Sequence, residues 1–300
     1  MTPPPAPASP FQQHCLGLFF AAARRLPRLT RLARRPVAAA VWLAAPAVRR
    51  AVHANLRHVL GPDAPPRRRR RIGRAVIASF YDFVCDVAAH HRDTPPQLLA
   101  RIESIEGKAP YLDARQPKRG AILVTAHFGN FEVGLAAIRE IEPRVHVVFQ
   151  RDAQSRFERL RATLHRSLGV TETPINDGMA SWLALRDALD QDAVVLLQGD
   201  RASPGQKTLD VPCFGATLRL PVGPAKLALL TGAPLVPVFA TRLPGRQARL
   251  RIALGQPLWV PTPDALEPAL HQIARSLEHH IAPHPEQWHV LHPAFVEPAS

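Results

Sequence analysis

The 300-residue chain predicts an α/β fold: a central, mostly parallel sheet flanked by helices, preceded by a basic helical N-terminal region. Three observations predict it. After about residue 100, short apolar or β-branched runs alternate with stretches of helical period, the pattern of strands and helices in turn. The runs 121–126, 193–197 and 235–240 are apolar or β-branched throughout instead of at every second residue, as strands buried on both faces require. The positive charge is confined, with fifteen Arg and one acid, Asp63, in residues 1–75; these account for the whole formal net charge of +14. The rest of the chain balances, which excludes a uniformly basic, histone-like protein. A hydrophobic content of 46% and a charged content of 21% exclude wholesale disorder.

Taken in order, residues 1–10 form a Pro-rich tail expected to be disordered, 11–95 a basic helical region with the charge to dock on a membrane, and 96–300 the α/β domain. Helical periodicity over 11–58 is punctuated by Pro27, Pro36 and Pro46. Arg24, Arg28, Arg31 and Arg35 step by four, three and four, and share one helix face if Pro27 sits near its start. Leu26, Leu29, Leu32 and Ala33 supply an apolar side. Such a helix suits an anionic membrane interface and equally a solvated face packed on the body. Residues 61–66 are a break, 67–71 open a further helix running to about Arg92, and Pro95-Pro96 closes it. The apolar runs 16–23 and 37–48 fall short of the ~20 residues that cross a bilayer. Residues 1–13 hold no positive charge ahead of an apolar stretch, so no export signal is expected. Three well-separated cysteines exclude a disulfide scaffold and a cysteine zinc site.

Strands are predicted at 121–126, 145–149, 193–197, 235–240 and 248–254, and helices at 131–140, 155–168, 178–190, 223–231 and 264–280. There is no G-x-G-x-x-G, P-loop, G-x-S-x-G or H-E-x-x-H pattern, so those chemistries lack support. His279, His280, His284, His289 and His292 are irregularly spaced among prolines, which favours structural or loop roles over a metal site; no metal is expected.

The informative segment is Val-Thr-Ala-His127-Phe-Gly-Asn130-Phe-Glu132. A buried strand ends at a His, a turn follows, and a helix opens with Asn130 as its N-cap. The carboxyl ends of strands in an open α/β sheet are where ligands bind. If the chain doubles back at the turn, Glu132 reaches the His127 imidazole, fixes its tautomer and makes it a general base for a hydroxyl. Spacing alone equally allows a His at a strand end and a Glu favoured by the helix N-terminus.

The same segment, H-x4-E after an apolar strand, resembles the lysophospholipid acyltransferase superfamily, in the branch of bacterial lipid A biosynthesis (lauroyl/myristoyl) and phosphatidylinositol mannoside acyltransferases. Further blocks resemble it in order: Arg49-Arg50 with Asn55-Leu56, the strand ending Gln-Gly-Asp200-Arg201, the turn Val211-Pro-Cys-Phe-Gly215, residues 220–238, and Glu286-Gln-Trp288. The resemblance implies a glycerolipid acyltransferase-like fold and no cofactor. It implies transfer of a fatty acyl chain from acyl carrier protein or coenzyme A to a hydroxyl of a lipid acceptor, a lipid A-type glycolipid favoured. His127 is then the base, Glu132 its partner, and Asn130, Arg166, Asp200 and Arg201 substrate-binding candidates. Arg151, Arg159, Arg161 and Arg166 all follow the second strand, where the family places a functional Arg. Oxyanion donors are expected from backbone N–H groups of the turn or an Arg. The implied location is peripheral or monotopic, on the cytoplasmic face of the bacterial inner membrane among anionic lipids. Asp200-Arg201 departs from the lipid A enzymes toward the mannoside enzymes, which leaves other acceptors (phosphatidylinositol mannoside-like, lysoglycerolipid or aminolipid) open. A basic nucleic-acid or membrane-binding protein without catalysis is the rival from another class. With aromatics at 6% and none within 67–71, nucleic-acid stacking has no support and no nucleic-acid partner is expected.

Overall fold

The computed structural model describes residues 19–149, 156–175, 178–202, 205–245 and 249–296. The Pro-rich tail, Cys15 and Arg151 lie outside them. Among the described residues, helical backbone over 19–25 is followed by α1 (Pro27–Ala44), α2 (Pro46–Val59), α3 (Pro66–His90) and the short α4 (Pro95–Leu99). Pro27, Pro46 and Pro66 each occupy a first helical position, where the missing N–H costs no ladder bond. Pro36 is accommodated inside α1. Arg24 therefore falls on the preceding helical stretch, not on the face shared by Arg28, Arg31 and Arg35, all three exposed on α1.

The body then runs β1 (Ile102–Glu106), α5 (Lys108–Arg115), β2 (Ala121–Thr125), α6 (Phe131–Ile141), β3 (Val145–Phe149), α7 (Arg156–Ser167), β4 (Thr171–Pro174), α8 (Met179–Asp190) and β5 (Val194–Gln198). A hairpin, β6 (Thr208–Cys213) and β7 (Ala216–Pro221), precedes α9 (Gly223–Thr231), β8 (Leu235–Arg242), β9 (Leu250–Leu254), α10 (Leu266–Ile281) and β10 (Phe295–Val296). The main sheet has seven strands in the order β1-β9-β8-β2-β5-β3-β4. All its pairs are parallel except β8 with β9, so the α/β, mostly parallel expectation holds. β6, β7 and β10 form a separate antiparallel sheet. Its turn, Phe214-Gly215, has both φ angles positive, the geometry of a two-residue hairpin.

Alternate side chains of β2 and β5 enter two different cores. Ile122, Val124, Val195 and Leu197 join one cluster, and Ala121, Leu123, Val194 and Leu196 join the other. The period of two explains why these strands read as unbroken apolar runs. β1 and β4 are edge strands with mixed burial, which is why apolar runs did not reveal them.

The N-terminal helices are fastened to the body by polar contacts. Asn55 on α2 donates to the carbonyls of Val290 (3.2 Å) and His292 (2.8 Å) and accepts from Ala294 N (2.9 Å). Arg242, at the end of β8, bonds Asp86 (3.0 Å) and Asp82 (3.4 Å) on α3, and Arg34 on α1 also bonds Asp82 (2.7 Å). No described helix is long and apolar enough to cross a membrane.

Beyond β2 the chain passes tightly under β8. At Gly129, φ is +59° and a Cβ would stand 1.9 Å from the Ala240 carbonyl oxygen. Only glycine fits both constraints. We predict that Gly129→Ala lowers unfolding free energy by about 2 kcal/mol or more, read by denaturant titration; an unchanged midpoint would refute this close approach.

Candidate active site

β2 and β5 pair in parallel from Ala121 opposite Val194 to Thr125 opposite Gln198. The ladder continues through Gly199 N to Thr125 O (2.8 Å). In that register His127 and Asp200, each two residues past its strand, stand side by side at the carboxyl edge of the sheet. His127 Nδ1 lies 2.7 Å from Asp200 Oδ1. A carboxylate acceptor keeps the ring proton on Nδ1 and leaves Nε2 as the basic nitrogen. The other oxygen, Oδ2, accepts from His127 N (3.1 Å) and Trp288 Nε1 (3.0 Å). Burial of Asp200 pushes its pKa up, but the adjacent His127 and the hydrogen bonds from its ring, from Trp288 and from the His127 amide prevail, taking it down to about 2. Asp200 is thus a buried anion, whereas the His127 side chain keeps 19% of its surface exposed.

The turn is held on every side. His127 O accepts from His289 N (2.7 Å), Phe128 N donates to Ala126 O (2.7 Å), Gly129 N to Gln287 O (3.0 Å) and Asn130 N to Ala240 O (3.0 Å). With His127 N on Asp200, all four amides of residues 127–130 are engaged, which corrects the expectation that this turn supplies oxyanion donors. Asn130 caps α6 as predicted, accepting from Val133 N (3.2 Å). Its amide nitrogen donates to Asp86 (3.3 Å) and the residue is buried. Assignment of Asn130 to substrate is therefore corrected: both ends of its amide are already bonded.

Glu132 is not the partner of His127. It lies in the first turn of α6, fully buried, and its carboxylate accepts from Arg161 Nε and from His165 Nε2 (2.7 Å). Arg161 also bonds Glu158 (2.7 Å), and His165 Nδ1 faces Glu172 (2.7 Å). The helix that Asn130 caps carries Glu132 toward α7, while β5 delivers Asp200 in register; the carboxylate on His127 is Asp200. Both nitrogens of the His165 ring face carboxylates, the arrangement of an imidazolium. Burial pushes its pKa down, yet Glu132 and Glu172 together hold it up at about 9. Burial likewise pushes Glu132 up, and Arg161 and His165 overcome this, taking it to about 2.

Among the described Arg candidates, Arg161 is the one built into this network. Arg166, expected at substrate, is exposed and its side chain donates to Thr163 (3.3 Å), and Arg159 is exposed. The i, i+4 spacing of Arg161 and His165 is the signal that they share a helix face. Arg201 follows Asp200 directly, is exposed, and pairs with His292 Nε2 at 3.0 Å.

The C-terminal segment contributes more than its sequence suggests. Gln287 closes a two-way amide pair with the backbone of Arg242, accepting from its N and donating to its O, both at 2.8 Å. His289 Nε2 lies 3.0 Å from Ser79 Oγ, and its ring sits 5.8 Å from Phe80 and 5.7 Å from Phe83. Burial, and then the charge of His127, takes His289 down to about 3, so it stays neutral. His280 stacks on Phe239 at 3.9 Å. Among the described residues no three His, Cys, Asp or Glu side chains gather as a metal site would require.

A family model described as bacterial lipid A biosynthesis acyltransferase matches residues 15–297. The chain belongs to this family. It is 28% identical over 203 residues to a phosphatidylinositol mannoside acyltransferase of Mycobacterium tuberculosis, covering 67% of this chain and 62% of that protein. It is also 28% identical over 184 residues to one from Mycolicibacterium smegmatis, covering 59% of this chain and 57% of the relative. The chain thus matches about three fifths of the length of these relatives. The family match encloses β2, β5 and the C-terminal segment alike, so the three donors to Asp200 all lie within it.

The Glu132–His165 pair predicts a pH signature. His165 is raised in the fold, so its contribution to stability is fully present below its ordinary value of 6.5 and lost as pH rises through about 9. Unfolding free energy should fall by about 2–3 kcal/mol over that window, and His165→Gln should abolish the fall. An identical pH profile in the variant would remove His165 as its source.

Proposed function

We propose that the protein is an O-acyltransferase that moves a fatty acyl chain from a thioester, on acyl carrier protein or coenzyme A, to a hydroxyl of a membrane lipid. The observation that carries this reading is the 2.7 Å contact between His127 Nδ1 and buried Asp200 beside a partly exposed imidazole. His127 Nε2 takes the proton as the acceptor hydroxyl attacks the thioester carbonyl. Asp200 stabilises the resulting imidazolium. Collapse of the tetrahedral species breaks the C–S bond, and the imidazolium returns its proton to the leaving thiolate. The acyl chain passes directly to the acceptor oxygen, with no enzyme nucleophile. Since the turn amides are engaged, we assign the oxyanion to Arg201, the exposed guanidinium next to Asp200 in the chain.

The acceptor we favour is a phosphate-bearing glycolipid with a free sugar hydroxyl. The family description names lipid A, and the two relatives are named for phosphatidylinositol mannoside. Peripheral attachment to anionic lipid fits the N-terminal helices, where Leu26, Leu29, Leu32 and Leu43 are more than half exposed among exposed arginines. On a bacterial cell this corresponds to the cytoplasmic face of the inner membrane.

Two measurements test the reading. His127→Ala and Asp200→Asn should each lower turnover by about 10²- to 10⁴-fold with folding intact, whereas Glu132→Gln should act mainly on stability. Mass spectrometry of lipids formed from mixed acyl thioesters and membrane extract reads the product; undiminished acyl transfer by His127→Ala would refute the base. Binding to phosphatidylglycerol vesicles should weaken steeply with salt, and salt-independent binding would refute electrostatic docking.

A further inference from the structure

α1, α2 and α3 border an open cavity of about 320 Å³ lined by Trp42, Leu43, Arg49, His53, Arg70 and Arg74. None of the six is acidic, and Asp63 is the one acid in residues 1–75. The wall is built by close packing: Trp42 lies on α3 at Gly73, where a Cβ would stand 2.5 Å from its ring. This contact leaves Arg70 and Arg74, one turn apart, on the same side of the helix. Trp42 and His53 meet at a ring-centroid distance of 5.3 Å. Arg49 is held in place by donating to the carbonyl of Trp42 (2.9 Å).

Arg70 and Arg74 are exposed and have no acidic partner among the described residues. Burial, then Arg69, Arg70 and Arg49, lower the pKa of His53, so the cavity already rejects a further proton. Three guanidinium groups around one hollow match the several oxygens of a phosphate group, which arginine grips through paired N–H donors. The rim is apolar. Leu43 is 71% exposed there, and Leu32, Val37 and Val41 are exposed on the same helix. A free anion has no use for such a rim, whereas a phosphate carrying acyl chains does. Along α3, Arg74 and Asp86 are twelve residues apart, ~18 Å at helical rise, so the hollow is separate from the His127 edge.

We propose that this cavity is a binding site for the phosphate headgroup of a membrane phospholipid, apart from the acyl acceptor, seating the enzyme at a defined depth and orientation. The proposal rests on the anionic-lipid docking above for the source of its ligand, not on the acyl-transfer reading.

The test is calorimetric titration of the full chain with dihexanoylphosphatidylglycerol below its micelle concentration, and separately with inorganic phosphate. Arg70→Gln/Arg74→Gln should weaken lipid binding at least about tenfold, while Arg67→Gln/Arg68→Gln, which removes equal charge outside the cavity, should change it no more than about twofold. Occupancy should raise the His53 pKa in wild type, read by NMR. Equal losses in the two variants would overturn the site and leave diffuse docking in place. Inorganic phosphate binding as tightly as the lipid would overturn the lipid assignment. Absence of wild-type binding to phosphatidylglycerol vesicles would overturn the docking reading itself.

Discussion

Asp200 is a carboxylate with essentially no access to solvent, and a buried charge left without donors costs several kcal/mol. Its donors come from two distant parts of the chain: the His127 ring and amide at the end of β2, and the Trp288 indole from the C-terminal segment. Each donor is itself held by other contacts. The β2–β5 register aligns the two strand ends. Gln287 hangs the C-terminal segment on the backbone of Arg242, and Asn55 clamps residues 290–294 to α2. A slip of one residue between β2 and β5 would turn every core side chain to the wrong face and take His127 from its anion. The same constraint therefore serves packing and chemistry.

Two buried carboxylates flank the turn, and their surroundings divide their roles. Asp200 faces one imidazole that keeps solvent access. Glu132 faces a guanidinium and an imidazolium that are nearly sealed. A carboxylate already neutralised by two cations is a poor proton acceptor, and removing one member of such a network costs about 3–5 kcal/mol. Glu132 thereby joins α6 to α7 and fixes the helix that Asn130 begins. Its place in the H-x4-E pattern reflects support of the turn that carries His127, and Asp200 is the carboxylate that orients that ring.

Much of this was legible in the amino-acid sequence, and the failures share a cause. Helices 223–231 and 131–140, the strands within 121–126, 145–149, 193–197, 235–240 and 248–254, and the His at a strand end follow from period and punctuation, which are local. The partner of His127 does not, because choosing between Glu132 and Asp200 requires knowing that β2 neighbours β5, a non-local fact. Arg161 and His165 share a helix face by spacing, but nothing local says that this face meets Glu132. His289 looked like one more residue of a loose histidine group; its role emerges only when its amide meets His127 O and its ring meets Ser79. β1 and β4 escaped notice because edge strands need no unbroken apolar run.

The charge excess acquires a direction along α3. The helix opens with five consecutive arginines and has no acid in its first turn, whereas its two acids, Asp82 and Asp86, are buried toward the other end against Arg34, Arg242 and Asn130. This is the reverse of what the helix dipole prefers, since a helix N-terminus stabilises anions and each misplaced cation there costs about 0.3–1 kcal/mol. Among the described residues no carboxylate pairs with those arginines. At the other end the acids are bonded from within, Asp86 by Arg242 and Asn130 and Asp82 by Arg242 and Arg34. One helix therefore carries exposed arginines at its start and buried, paired acids toward its end. The exposed arginines and the residues that brace the His127 turn thus sit at opposite ends of one helix.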